Sequence, residues 1–451
     1  MGFDSPVPLI GHASDSTIAY RHGKAITAAR FLAELQQVAA ILPPGRHLLN
    51  ACADRYHFAV GLCAALVTGK VSLLPSTHTP EVIRWLREFA ADAHCLTDDP
   101  GCTIDLPRLV YPAVLRPAVG NWQVPRIDPG GLAALVFTSG STGAPVPHAK
   151  TWGNLLLSVC AEAERLGIDR THLPAILGTV PPQHMYGFET TVLMPLASGA
   201  ALCAERPFYP ADIALALSKL PRPRVLVTTP IHLRALLNCG VTLPSVDLCV
   251  CATAPLADAL AGQAEAAFQA PLVEIYGATE TGQIASRLTT RDARWHLWPG
   301  VRLQLEGGQA FAEGGHVETR TALNDILEPI GEHYFHLHGR NTDLVNIAGK
   351  RGSFGYLNHQ LNAIDGVVDG AFFLREPLPS EVGVSRLGAL VVAPTLDAPT
   401  ILQALRSRID AVFLPRPLLF VERLPRNATG KLSQDALQAL ARSLLEREHD
   451  G

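Results

Sequence analysis

The chain has 451 residues, 48% of them apolar, enough for more than one domain with a buried core. Its net charge of −4 gives no general reason to expect nucleic acid or an anionic membrane as partner. The first residues lack the basic start and apolar run of a secretory signal, and no uninterrupted apolar segment is long enough to cross a bilayer. The nine cysteines contain no Cys-x-x-Cys pair, which suits a reducing compartment, so a soluble cytoplasmic protein is expected.

Taken in chain order, apolar runs bounded by turn residues alternate with helical patterns. Leu132 to Phe137 reads as a buried strand between Gly130-Gly131 and a polar glycine loop, and Trp152 to Leu166 follows with helical spacing. Val225 to Thr228 is a strand leading through Pro230 into a helix from Ile231 to Leu237. Leu248 to Ala252 and Leu272 to Ile275 are two further buried strands, with Cys249 and Cys251 on one strand face as core residues. Such alternation predicts an α/β fold, a large N-terminal domain of layered sheets and helices. The last hundred or so residues predict a small α+β domain. Its strands are Ala371 to Leu374, Leu387 to Val392 and Leu418 to Val421; a helix runs from about Thr400 to Phe413, and a final helix is capped by Ser433. The boundary is set near Gly339-Arg340, giving a large domain of residues 1–339 and a small mobile domain of residues 340–451.

The strongest local feature is Thr138-Ser-Gly-Ser-Thr-Gly-Ala-Pro145, read as lying directly between a strand and a helix. Its glycines let the backbone approach a ligand, its amides and hydroxyls can donate to phosphate, and a nearby helix start would add dipole potential. The spacing does not fit the G-x-x-x-x-G-K-[ST] loop. Taken alone, the segment reads equally as a flexible turn.

Three further segments change that balance. Thr138 to Pro145, then Glu274-Ile-Tyr-Gly-Ala-Thr-Glu-Thr281, then Asp325 with Gly339-Arg340-Asn-Thr-Asp343, and finally Leu424-Pro-Arg-Asn-Ala-Thr-Gly-Lys431 occur in this order. Together they resemble the adenylate-forming superfamily of acyl-CoA synthetases, aryl-acid ligases, luciferases and peptide-synthetase adenylation domains. The resemblance covers the chain from about residue 15 onwards and implies ATP and Mg²⁺ as cofactors.

It also implies roles. Thr138, Ser139, Ser141 and Thr142, with Gly140 and Gly143, would hold the ATP phosphates, and Glu280 would serve Mg²⁺. Tyr276 would flank the adenine in the stretch Gly277, Ala278 and Thr279, with Gly277 near the acid. Cys251 to Leu256, including Thr253, Ala254 and Pro255, corresponds to the segment that flanks adenine, though these residues alone equally describe a strand entering a turn. Asp325 would take the ribose hydroxyls, and Arg340 ribose or phosphate. Lys431 would bridge the substrate carboxylate and the α-phosphate. Pro181 to Phe188 resembles the acyl-pocket motif, with His184 beside the acid and Tyr186 and Phe188 as walls. His336 and His338 share a strand face with no third ligand evident, and read as a polar face.

Two positions depart from the pattern. The phosphate loop commonly carries Lys after the proline, whereas Pro145 is followed by Val146; Lys150, four residues on, is the cation available to reach back. In the hinge near residues 340–343, the position two after the Arg, commonly Asp or Lys, is Thr342, followed by Asp343.

The resemblance implies an acyl adenylate passed on to a thiol, with the small domain rotating to withdraw Lys431 and present Gly349-Lys-Arg-Gly352. Between Arg406 and Lys431 the basic Arg406, Arg408, Arg416, Arg423, Arg426 and Lys431 outnumber Asp410 and Glu422, a patch that suits an acidic carrier protein or coenzyme A and equally an ordinary solvated face. Asn50 to Phe58, Leu73-Leu-Pro75 and Gly349-Lys-Arg351 look like compact AMP ligases of aryl-polyene and xanthomonadin pigment clusters, which implies a hydroxybenzoate as acid and an acyl carrier protein as acceptor. The alternatives are an aryl- or acyl-CoA ligase and, from a different class, a non-catalytic nucleotide-binding protein.

Overall fold

The structure, a computed structural model, describes residues 3, 5–75, 77–112, 123–139, 145–171, 173–340, 344–347, 350–375, 386–427, 430 and 432–449. Two large sheets dominate. One has six strands in the order Pro145–Thr151, Leu132–Ser139, Val71–Leu74, His47–Asn50, His94–Thr97, Arg108–Val110. The other has eleven, and at its centre Ala201–Cys203, Ala175–Gly178, Arg224–Thr228, Leu248–Cys251 and Leu272–Ala278 run parallel. Strands buried on both faces need apolar side chains throughout, which is why the β-branched and leucine-rich runs of the sequence became these strands. Cys249 and Cys251 have no exposed surface and lie in the core.

The eleven-stranded sheet ends in the antiparallel pair Asp325–Ile330 and Tyr334–Arg340. Beyond it, Asp369–Arg375, Arg386–Val392 and Leu418–Phe420 form a three-stranded sheet. Apolar clusters cover both of its faces, one around Phe372 and Leu387, the other around Phe373 and Leu437. This is the smaller C-terminal domain of a mixed α/β protein. Ser433 caps the last helix, its Oγ accepting from the Ala436 amide at 3.1 Å.

Two local expectations are corrected. The glycine loop does not feed a helix: Pro145–Thr151 is an extra strand, antiparallel to Leu132–Ser139, and the helix Trp152–Arg165 begins only after Thr151 caps it. Ser139 and Pro145 face each other across the ladder, so no helix start follows Ser139 directly and the helix-dipole argument does not apply. Pro145 and Pro147 hid this strand from the residue pattern, because proline cannot donate to a ladder; both are accommodated at the sheet edge. Likewise the helix expected from Thr400 to Phe413 is Ala398–Arg406, and Asp410 restarts the chain as a separate turn, its carboxylate accepting from the Val412 amide.

Three buried histidines set the acid limit of the fold. Burial pulls His12, His232 and His316 down to about 4. A neutral His whose folded pKa lies below its unfolded value stabilises above the unfolded value and loses that contribution as pH falls. Each should remove about 1.4 kcal/mol per pH unit as the pH drops from about 6.5 towards 4. Denaturant titrations at stepped pH should show this slope, reduced in His12→Gln, whose ring otherwise meets the Ala200 carbonyl at 3.0 Å.

Candidate active site

The sequence motifs collect at one edge. Parallel strands end at Gly178, Thr228, Cys251 and Ala278, and the segments that follow are Thr179 to His184, Thr229 to Pro230, Ala252 to Leu256 and Thr279 to Thr281. In α/β sheets, ligands bind outside the carboxyl ends of the strands, where loops are free to vary. Thr138 and Ser139 finish a strand that is parallel to Val71–Leu74 in the neighbouring sheet. Gly140, Ser141, Thr142, Gly143 and Lys431 lie outside the described residues, as do Asn341 to Asp343 and Gly349.

The hairpin carrying Glu280 is built for a close turn. A Cβ at Gly277 would fall 2.3 Å from the Gly282 carbonyl oxygen, so only glycine fits there. Thr281 Oγ1 donates to the Gly282 carbonyl at 2.9 Å and accepts from the Ala278 amide at 3.3 Å, which fixes Thr279 and Glu280 at the tip. The Glu280 carboxylate is half-buried and takes no hydrogen bond from another described residue. Next to it in the sheet, Tyr276 packs its ring at 5.6 Å from Trp295 and 5.5 Å from Phe335, and donates its hydroxyl to Asp325 at 2.7 Å. Asp325 in turn lies opposite Arg340 across the ladder. Two segments far apart in the chain, Tyr276 and Asp325–Arg340, are thus joined.

Thr253 adopts φ of +86°, a left-handed conformation that a β-branched residue rarely takes. Such strain persists where surrounding structure enforces it, and it concentrates at functional sites. Thr253 and Ala254 are half-exposed and Pro255 exposed, while Leu256 is anchored to buried Glu274.

The acid-pocket expectations divide. His184 is half-buried at the start of the helix Met185–Phe188. Tyr186 and Phe188 are not free walls. Tyr186 donates its hydroxyl into the carbonyls of Thr228 and Val250 at 3.2 and 3.0 Å, tying the pocket motif to two strand ends. Phe188 has no exposed surface and meets Phe58 edge-on at 6.4 Å, so its ring belongs to the core.

Among the described residues, Lys150 is engaged away from Thr138. The ladder sets Val146 opposite Thr138 and Lys150 opposite Ala134, a run of strand away, and its ammonium donates to the Glu280 carbonyl at 2.7 Å. Burial lowers its pKa, opposed by the carboxylates of Glu189, Glu318 and Glu280. Glu189 is itself buried and pushed up to about 7, and it accepts from Ser158 at 2.7 Å. The side chain that does reach the loop is His148, whose Nε2 lies 2.9 Å from Thr138 Oγ1. The residue pattern missed His148; the alternation of Val146, His148 and Lys150 was the available signal, once this stretch is known to be a strand. The basic patch also loses a member, because Arg426 is committed to Asp369 at 2.7 and 2.8 Å. His338 pairs with Glu328 at 2.8 Å across the strand pair Asp325–Ile330 and Tyr334–Arg340.

Comparison with known proteins agrees with this geometry. The family model described as "AMP-binding enzyme" matches residues 46–306, more than half the chain. A 4-coumarate–CoA ligase of Rhodobacter capsulatus is 32% identical over 66% of this chain and 74% of its own length. A 3-hydroxybenzoate–CoA/4-hydroxybenzoate–CoA ligase of Thauera aromatica is 22% identical over 71% of this chain and 68% of its own. The solved o-succinylbenzoate CoA synthetase of Bacillus subtilis, in complex with its acyl-adenylate intermediate, shares the fold with a TM-score of 0.79 at 17% identity, covering 94% of this chain and 95% of that one. The chain belongs to the AMP-binding enzyme family and is an AMP-forming acid–thiol ligase.

Proposed function

We propose that the chain activates an aromatic carboxylic acid, of the hydroxybenzoate type, as its acyl adenylate with release of pyrophosphate, and then passes the acyl group to the phosphopantetheine thiol of an acyl carrier protein. The observation that carries the first half is the gathering of the His184, Thr253 and Glu280 segments at the carboxyl edge of one parallel block.

In this reading Thr138, Ser139, Ser141 and Thr142 donate to the ATP phosphates, and Gly140 and Gly143 allow the backbone to come close. Neutral His148, its pKa lowered by burial, orients the Thr138 hydroxyl. Thr253, Ala254 and Pro255 face the nucleotide from one side, and Tyr276, Gly277, Ala278 and Thr279 from the other. Asp325, already aligned by Tyr276, takes the ribose hydroxyls with Arg340 beside it. His184 and Gly277 border the acid, and Lys431 draws the carboxylate onto the α-phosphate. Glu280 fits a magnesium ion, since a hard carboxylate not spent on donors among the described residues stands at the tip of the turn. Bound there, the ion would offset phosphate charge.

The chain divides between residues 339 and 340, and rotation about residues 340–343 would exchange Lys431 for the Gly349 to Gly352 loop between half-reactions. The carrier protein as acceptor, and a place among aryl-polyene or xanthomonadin ligases, rest on the resemblance of Asn50 to Phe58, Leu73 to Pro75 and Gly349 to Arg351. A cytoplasmic setting suits nine free cysteines, and no helix among the described residues is long and apolar enough to cross a membrane. The names of the relatives favour one second reading, coenzyme A as the acceptor.

Pyrophosphate release should be followed over 4-coumarate, 3- and 4-hydroxybenzoate, 4-chlorobenzoate and medium-chain acids, with coenzyme A and holo-carrier protein then competing for the adenylate. No release with any acid would sink the activation reading; preference for coenzyme A would sink the carrier-protein half. Lys150→Met tests the support of the Glu280 turn. Losing a charge-assisted hydrogen bond should raise KM for Mg-ATP about tenfold with kcat much less affected. An unchanged KM would show that the turn holds itself.

A further inference from the structure

The helix Pro230–Asn238 leaves the same strand edge as the site and meets the small domain along one side. From it, Arg234 donates to the Val368 carbonyl at 2.9 Å and comes within 3.9 Å of the Asp369 carboxylate. Asp369 opens the three-stranded sheet of the small domain and is 11% exposed. The same carboxylate is held by Arg426, which also donates to the Gly430 carbonyl at 2.9 Å. Arg426 and Leu432 form an isolated bridge that closes the loop between them.

One turn before Arg234, Ile231 packs on Gly430. A Cβ at Gly430 would lie 2.8 Å from Ile231 Cγ2, and the residue takes φ of +78°, so both space and backbone require glycine there. Lys431 follows directly in the chain.

We infer that Arg234 is a positioning residue, a cross-domain latch that, through Asp369 and Arg426, seats Gly430, the residue before Lys431, against the helix Pro230–Asn238 and so favours the adenylation half-reaction. The geometry is a shared carboxylate. Asp369 lies nearly out of water between one arginine of its own domain and one from the large domain, where solvent screens the charges little. The Asp369–Arg426 pair is bidentate and internal to the small domain, so it travels with that domain. Arg234 is the part that parts company when the domain turns. Its contact with Val368 and Asp369 therefore weights one orientation without being needed to fold either domain.

The inference rests on the two-step adenylating reading, and the experiment separates the two. Arg234→Ala should lower pyrophosphate release with 4-coumarate or the best acid of the panel about tenfold, as expected for one charged hydrogen bond. Thioester formation from a supplied acyl adenylate should stay within about twofold, since it does not draw on Lys431. Arg234→Lys should recover most of the first rate. An equal fall in both half-reactions, or no change in the first, would overturn the latch. The separation of the domains is read independently of turnover, by energy transfer between dyes at exposed Cys160 and at a cysteine introduced by Tyr356→Cys. The distance distribution should broaden in Arg234→Ala; an unchanged distribution overturns the latch whether or not any acid is turned over. Wild-type protein that leaves every acid untouched overturns the activity reading alone.

Discussion

Replacing Lys431 by Ala is expected to lower acid-dependent pyrophosphate release by roughly 10²–10³-fold, the usual effect of removing one preorganised charge from a developing transition state. The two reactants of the first half-reaction are both anions, a carboxylate and the α-phosphate of ATP. Their approach needs a cation that belongs to neither, and the sequence offers Lys431 in its Gly-Lys context. The residue before it is fixed from both sides, by Ile231 of the large domain and by Arg426 of the small one. Lys150, the lysine nearest the glycine loop in the sequence, is occupied by the Glu280 carbonyl. The variant should still make thioester from a supplied acyl adenylate within a few-fold of wild type, because that step starts after the anions have been joined. Pyrophosphate assays and single-turnover thioester assays on the same preparation check both statements. Undiminished pyrophosphate release would remove Lys431 from the mechanism.

How much of this was legible in the residues depends on where the information is local. Buried parallel strands announce themselves as apolar runs, so Leu132–Ser139, Arg224–Thr228, Leu248–Cys251 and Leu272–Ala278 fell where the pattern put them. An edge strand with two prolines and alternating polar residues carries no such signal, and the residue pattern assigns no strand to Pro145–Thr151. With that strand in place, the helix Trp152–Arg165 starts too late to lend its dipole at Thr138, and Lys150 meets the Glu280 carbonyl. The site shows the same division. Gly277 and Glu280 could be named from a short motif because the turn that needs them is local. Partners brought from elsewhere, Tyr276 to Asp325, His148 to Thr138 and Arg234 to Asp369, could not. Phe188 was placed by its chemistry as an aromatic near a pocket, but only packing decides which way a ring in a helix faces, and it faces Phe58.

Arg55 carries the second large expectation, a loss of about 3–5 kcal/mol in unfolding free energy for Arg55→Ala, the range reached when a large buried side chain is cut to alanine and its acceptors are left unpaired. It has no exposed surface and stands at the start of the helix Arg55–Val67, whose cap is Asp54. Its guanidinium donates to Thr191 Oγ1 at 2.9 Å and to the carbonyls of Gly178, Val180, Cys203 and Glu205 at 2.7 to 3.2 Å. Burial pulls its pKa down to about 10, so it stays charged at neutral pH. Those carbonyls lie at the ends of the strands Ala175–Gly178 and Ala201–Cys203, where the chain turns out of the sheet towards His184. Alanine would leave a cavity and unpaired carbonyls together, and methionine would fill much of the space but satisfy none of the acceptors. Arg55→Met should therefore lose most of the same stability, which urea titration can measure. If methionine restored wild-type stability, volume and not hydrogen bonding would be what Arg55 supplies. The hydrogen bonds bear on function as well, since they hold the strand end from which Thr179 to His184 departs. Surviving Arg55→Met protein should show a raised KM for the acid with a smaller change for ATP.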